Sequence, residues 1–413
     1  MHQSTIRNRQ SQSSICNLQS AVILGLLAVV SAAAQDQPPP KIKSGVEVLA
    51  VDVQVVDKEG YAFPRLGPDD FEVAIDGERR RVLSVDLVKH VGPQSTRTPS
   101  TGRPDDLEAG QAIPSGRLFV LAVDEHSFGA RSAQAAMQAV SRFVENLRPD
   151  DLVGLYAYPT GPIHVDPTTN HQAVLDKIGL IAGLYDEPRS EFHLSLTEVS
   201  DITAGDGGAL ARVAARECRP TDSSCSKRVA GEAASLGAFY EMQVAQSVAG
   251  LRNLFRGLAA IPQRKTVVLV SGGLLANDRV GGRPNTIGQT TAVGRDAAVA
   301  NVNLFVLHMD TSFMDAFSKG TSVATSLMAD SGMAARGLEL IAGAAGGIVV
   351  RVEAGTADRA LERLLRETSV YYLLAVEVTD ADRDGRLHAI RVRVKQRGAL
   401  VRSRTSVVIP KAR

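Results

Sequence analysis

The feature that most constrains this chain is a set of short, unbroken apolar runs that alternate with helical patterns. Residues 118–123 (Leu-Phe-Val-Leu-Ala-Val), 266–270 (Thr-Val-Val-Leu-Val) and 304–307 (Leu-Phe-Val-Leu) have no polar face. A strand of that kind has both faces covered, as in the middle of a parallel sheet. Helical periodicity follows at 132–147, with Ala136, Val140, Phe143, Val144 and Leu147 on one side, and again at 172–184, 233–260, 290–301, 337–345 and 356–368. Further strand patterns occupy 151–158, 162–166, 347–352 and 371–378. Repeated strand–helix units predict an α/β domain with a doubly wound, mostly parallel sheet over residues 116–378, carrying an insertion at about 185–230.

The flanks read differently. Arg7 and Arg9, an apolar run at 21–30 and Ser31-Ala-Ala-Ala34 have the layout of a secretory signal, so residues 1–34 are expected to be cleaved and the mature protein to be periplasmic or secreted. The run is about ten residues, short of the ~20 a spanning helix needs, so no transmembrane anchor is expected after cleavage; an uncleaved anchor is the alternative. Residues 35–43 and 92–115 are linkers rich in Pro and small polar residues. Residues 44–91 alternate without helix and predict a small β-sandwich-like module, with a strand at 46–56, either bulged or buried on both faces, then strands at 71–75 and 80–88 around an Asp76-Gly77 turn. Residues 379–413 predict a basic β-rich extension of two strands joined near Gly398.

Charge and composition exclude several classes. Lys and Arg number 46 against 45 for Asp and Glu, so no global field favours nucleic acid. Aromatics are 4% and Trp is absent, which argues against stacking platforms for bases or sugars as the main business of the protein. Export makes the pair Cys218 and Cys225 read as a disulfide closing a small loop, helped by Pro220, Asp222 and Ser223. Free thiols are the alternative, and a zinc site lacks two further ligands nearby.

In an open α/β sheet, ligands gather at the carboxyl ends of strands where the order reverses. The first buried strand ends in Asp124-Glu-His-Ser-Phe128 and the 266–270 strand in Ser271-Gly-Gly273. These segments, with Asp-Leu-Val-Gly-Leu-Tyr-Ala-Tyr158 between them, resemble a von Willebrand factor A domain. Val51-Asp-Val-Gln-Val-Val-Asp-Lys-Glu-Gly60, Leu66-Gly-Pro-Asp-Asp-Phe-Glu-Val-Ala-Ile-Asp-Gly77 and Asp384-Gly-Arg-Leu-His-Ala-Ile-Arg-Val-Arg-Val-Lys395 are similar to the flanking parts of the exported VWFA-related proteins of acidobacteria.

The resemblance implies a metal-ion-dependent adhesion site of an Asp-x-Ser-x-Ser loop, a distant Thr and a later Asp around Mg²⁺. Those positions fall on Asp124, His126, Phe128, Thr197 and Ser271. Phe128 offers no ligand and Ser271 no carboxylate, so a degenerate site with at most a weak divalent cation is expected. A second match, Asp222-Ser-Ser224-Cys-Ser226, follows no buried strand and reads as chance. Asp124, His126 and Ser271 are also the residue types of a hydrolase triad, but Leu269-Val-Ser-Gly-Gly273 lacks the leading Gly of a nucleophile elbow.

In the tail, Arg391, Arg393 and Lys395 share one strand face, suited to an anionic envelope surface or to protecting a sheet edge. The expected function is therefore a non-enzymatic, exported interaction module that meets a protein partner at the carboxyl edge of the sheet. The alternatives are a hydrolase using His126 and Ser271 and a purely structural envelope component.

Overall fold

The computed structural model of the chain describes residues 48–90, 116–186, 188–261, 263–310, 324–352 and 357–411. The expected signal segment and both linkers lie outside these residues. The chain enters through β1 (Val48–Val56), β2 (Phe71–Ile75), β3 (Glu78–Arg80) and β4 (Val82–Lys89). β1 runs without a register shift against its long partner, so the apolar phase change is not a bulge there; both faces are buried over residues 53–56, while Val48 and Ala50 are exposed. The single strand expected at 80–88 is two strands that break at Arg81 and enter different sheets.

The α/β part follows: β5 (Leu118–Asp124), α1 (Ala130–Glu145), β6 (Leu152–Tyr158), β7 (His164–Thr168), α2 (His171–Ile178), α3 (Leu196–Thr203), α4 (Gly207–Glu217), α5 (Cys225–Ala259), β8 (Lys265–Ser271), α6 (Ile287–Val299), β9 (Val302–Met309), α7 (Ala324–Ala345), β10 (Ile348–Val352) and α8 (Ala357–Thr368). The sheet order is β10-β9-β8-β5-β6-β7, parallel except for β7. Successive residues of β5 face opposite layers. Phe119, Leu121 and Val123 pack among residues of α1, α2 and α8. Val120 and Ala122 pack among residues of α5, α6 and α7. That two-sided burial is why the strand has no polar face.

The chain then passes through β11 (Val370–Glu377), β12 (Leu387–Val394), β13 (Leu400–Arg402) and β14 (Ser406–Val408). β11 lies antiparallel between β1 and β4, and β12 lies antiparallel between β14 and β2. Two corrections follow. The strand expected at 371–378 belongs to this β-layer pair rather than to the parallel sheet. The N-terminal module and the C-terminal extension are two halves of one sandwich, β13-β1-β11-β4 over β14-β12-β2-β3. Its core draws Val51, Val53 and Val55 from the front and Tyr372, Leu374, Ile390 and Val407 from the back. Four short strands cannot cover their own apolar face, so the front half is completed only when the chain returns. The described residues fall within one compact unit, Val46–Arg413.

The basic face is as read in one respect. Arg391, Arg393 and Lys395 are exposed while Ile390 and Val392 are buried. β14 covers only residues 387–389 of β12, so the stretch with Arg391 and Arg393 pairs with β2 on one side, and their charge at that partly open edge is compatible with edge protection. Arg393 sits opposite Glu72 of β2.

Candidate functional site

The order of strands reverses between β5 and β8, so their carboxyl ends flank one crevice. Asp124 ends β5 and Ser271 ends β8, and both are fully buried. The Ser271 hydroxyl lies 3.4 Å from Asp124 Oδ2 and 3.2 Å from the Gly273 carbonyl, and accepts the Gly273 N–H at 3.2 Å. Ser247, from α5, donates to Asp124 Oδ1 at 3.1 Å. The Tyr158 hydroxyl and the His126 amide also reach this carboxyl. Burial nevertheless pushes Asp124 up to about 7, because every group that holds it is neutral.

The mouth of the crevice is closed by backbone. After Asp124 the chain makes a 3-10 turn at Glu125–Ser127. Ser127 Oγ donates to the Asp124 carbonyl at 2.7 Å and accepts the Gly272 N–H at 2.7 Å, tying the two strand ends together. A Cβ at Gly272 would stand 2.1 Å from the Ser127 carbonyl oxygen, so only glycine permits this approach. Phe128 is buried beneath the turn. On the far side of β8, buried His308 of β9 lies with Nε2 3.2 Å from the Gly272 carbonyl, and burial lowers its pKa, leaving a neutral ring to donate there.

The expected site residues are therefore partly assembled. Asp124 and Ser271 meet. Thr197, at the start of α3, gives its amide (2.8 Å) and hydroxyl (2.5 Å) to Asp330 Oδ1 of α7 instead. Among the described residues the Ser271 hydroxyl has its bonds to Asp124 and Gly273, and none to His126. No dyad of His126 with Ser271 is formed. A divalent ion does not fit these residues: the carboxyl is buried among hydroxyls, Thr197 is held by Asp330, and Phe128 and Ser271 add no carboxylate. Among the described residues no group of three or more His, Cys, Asp or Glu side chains could hold a metal. An apolar groove of about 400 Å³, lined by Tyr61, Phe63, Pro64, Leu87, Arg366 and Val370, belongs to the sandwich and contains none of the crevice residues.

Sequence reasoning missed Ser247, Tyr158 and Asp330. Ser247 left a trace. It occupies a buried position on a helix face that otherwise reads Tyr240, Val244, Leu251, Phe255, and a lone hydroxyl on such a stripe needs a partner.

The insertion is helical and has a core of its own, built from Phe192, Leu194, Val199, Ile202, Val213, Val229 and Leu236. It comprises α3, α4 and the first turns of α5, which begins at Cys225 rather than near residue 233. Cys218 and Cys225 are disulfide-bonded, and Cys225 is buried in that core. The Asp222-Ser-Ser224 motif is a turn: Asp222 Oδ1 accepts Ser224 N at 3.0 Å and Oγ at 2.7 Å, and Arg228 holds Oδ2 at 2.6 Å. Replacing both cysteines by serine should cost about 2 kcal/mol through the freed loop. Proteolysis under native conditions should then cut first within 190–230; unchanged cleavage and stability would refute the staple.

The segment between β8 and α6 packs on this insertion. Arg279 reaches Asp201 and, at 3.1 Å, Asp206, while the Arg283 amide donates to Thr203 Oγ1 at 2.9 Å. Two large apolar side chains flank α3 and face solvent. Val280 is 94% exposed and Met328, two residues before the Thr197 partner Asp330, is 73% exposed. No protein-family model matches the chain, and no curated protein matches its sequence.

Proposed function

We propose that this chain is a non-enzymatic interaction module of the exported VWFA-related type. Its contact surface is the rim at the carboxyl edge of the parallel sheet, made by the disulfide-stapled insertion, the β8–α6 segment and the start of α7. The observation that carries the reading is the pairing of a sealed crevice with an apolar rim. Asp124 and Ser271 are buried beneath the Ser127 bridge, which keeps their side chains from a substrate. Val280 and Met328, the two most exposed large apolar side chains among the described residues, stand out beside α3, and the reading takes them as the contact points. The metal-dependent mode of the resembled adhesion sites is not supported here, so recognition rests on shape and apolar burial. Export accounts for the disulfide. Among the described residues no helix is long and apolar enough to cross a membrane.

Photo-crosslinking in the native host tests the reading. A crosslinkable residue at Val280 or Met328 should give one discrete, shared adduct. The same residue at Leu387 or Leu400, exposed on the sandwich, should not. Equal adducts from both sets, or none from the rim, would overturn it.

A further inference from the structure

At the seam where the sandwich meets the amino ends of the parallel strands, cations outnumber carboxylates in a place largely shut off from water. Arg264 precedes β8, Arg404 lies between β13 and β14, and Asp52 projects from β1. A small cavity of about 20 Å³ is lined by Asp52, Arg264, Asn301, Asn303, Ser403 and Arg404. Arg264 Nη1 is 3.8 Å from Asp52 Oδ2, too long for a hydrogen bond, and makes no other. Arg404 donates through Nη2 to the Ala50 carbonyl, and its buried Nε has no partner. Lys265, next in the chain and 1% exposed, donates to the Ile261 carbonyl, and the carboxylate acting on its charge is again Asp52. Arg402 does not add an acceptor, since Glu367 is already shared between Arg402 and Arg363.

Arg264 and Arg404 thus line the cavity with Asp52 as its one carboxylate and Lys265 buried next to Arg264; the Tyr371 ring, 4.8 Å from the Arg264 guanidinium, offsets part of that charge and carries no countercharge of its own. Burial pulls both guanidinium groups toward neutrality, and the charge of Arg264 acts against that of Arg404. Such an excess of buried positive charge is costly unless a negative charge meets it. We propose that this seam is a binding site for a single small monatomic anion of chloride's size, received by Arg404 Nε and Arg264 Nη1 with amide and hydroxyl donors from Asn301, Asn303 and Ser403. The enclosed part of the cavity matches one body about the size of a water molecule, which fits a monatomic anion better than sulfate or phosphate. Water is the competing occupant, but it would leave the charge excess in place. The anion would join the residue before β8, the β13–β14 turn and the start of β9, with β1 linked through the Arg404 bond to the Ala50 carbonyl and Asp52 on the far side of the guanidinium groups as their counter-charge.

Chloride itself is the probe. The ³⁵Cl resonance of the intact protein in chloride buffer should broaden, and bromide should reverse the broadening by displacement while sulfate at equal ionic strength should not. Melting temperature should rise saturably, by about 2 °C, when gluconate is replaced by chloride. Arg404→Gln should lose both responses. Crystals soaked in bromide should show one anomalous peak between residues 264 and 404. If Arg404→Gln fails to fold, the bromide peak and the line broadening of the unaltered protein still decide the matter. An absent peak with no sulfate-resistant broadening would mean that the cavity holds water and would overturn the proposal.

Discussion

Asp124→Asn should make this protein more stable, and the gain should grow as the pH rises. The carboxyl is fully buried at the end of β5 and held by Ser247, Ser271, Tyr158 and a backbone amide, with burial pushing it up to about 7. An acid whose folded pKa is raised contributes most below its unfolded pKa near 4, and that contribution is lost as the pH climbs through the folded value. Between pH 5 and pH 8 the unaltered protein should therefore lose about 3 kcal/mol that the variant keeps. Asparagine mimics the protonated acid. Its carbonyl can accept from Ser247, and its amide can donate to the Ser271 oxygen while that hydroxyl turns to the Gly273 carbonyl, 3.2 Å away. Urea unfolding of both proteins across this range checks the result, since groups common to both cancel in the difference. A difference that does not change with pH would sink the idea. A Mg²⁺-dependent stabilisation of the unaltered protein alone would show the opposite arrangement, an ionised Asp124 working as a ligand. The prediction bears on function because a buried acid that ionises only with difficulty is a poor anchor for a hard cation.

The parallel sheet was legible because its strands are buried on both faces and read as short unbroken apolar runs spaced by helical patterns. The meeting of Asp124 with Ser271 was legible for the same reason. Once residues 118–123 and 266–270 are placed as central neighbours, the residues that end them must share a crevice. Local chemistry also carried the Cys218–Cys225 bridge, whose ends lie close along the chain. What was not legible is pairing across long separations. β11 has the apolar look of another sheet strand, yet Tyr372, Leu374 and Val376 alternate toward the sandwich core. Nothing near residues 370–377 indicates that their partners are β1 and β4, some three hundred residues earlier. Thr197 was placed by its type beside Asp124, but a hydroxyl at a helix start serves any nearby acceptor, and Asp330 is the one α7 presents. Arg81 separates two strands of one apparent run because neighbouring residues are drawn to different sheets, a tertiary choice that overrides local propensity.

The largest loss of stability is expected from a position at the opposite end of the sheet. Asp151, at the entrance to β6, is fully buried and takes four bonds: from Arg117 Nε (3.1 Å), Nη2 (2.6 Å) and amide (2.9 Å), and from the Arg148 amide (3.0 Å). Burial alone would raise its pKa, but the Arg117 hydrogen bond and charge and the two backbone amides outweigh it and hold the carboxyl below its usual value. The same guanidinium donates to the Leu365 carbonyl at 3.1 Å and to Thr368 at 3.2 Å, at the end of α8 just before β11 turns into the sandwich. Asp151→Ala leaves that cation buried without its counter-charge, which costs about 3–5 kcal/mol. Arg117→Met with Asp151→Leu removes both charges and should recover the part of the loss due to the unpaired cation, while the Arg117 and Arg148 amides and the Leu365 carbonyl, left without these partners, keep the double variant below the unaltered protein. The sign with pH is the reverse of that at Asp124. A depressed carboxylate contributes above its unfolded pKa and loses that contribution as the pH falls through the folded one, so the effect of Asp151→Ala should shrink in acid. Chemical denaturation at neutral and acidic pH checks both points, and a loss under 1 kcal/mol at neutral pH would mean that the pair is not the clamp its geometry indicates. Where the double variant folds, the rim at the other end of the strands is untouched, so crosslinking through Val280 and Met328 should persist in it. Its disappearance would mean that the rim is shaped from the base of the sheet, and that the contact surface extends beyond the insertion and its neighbours.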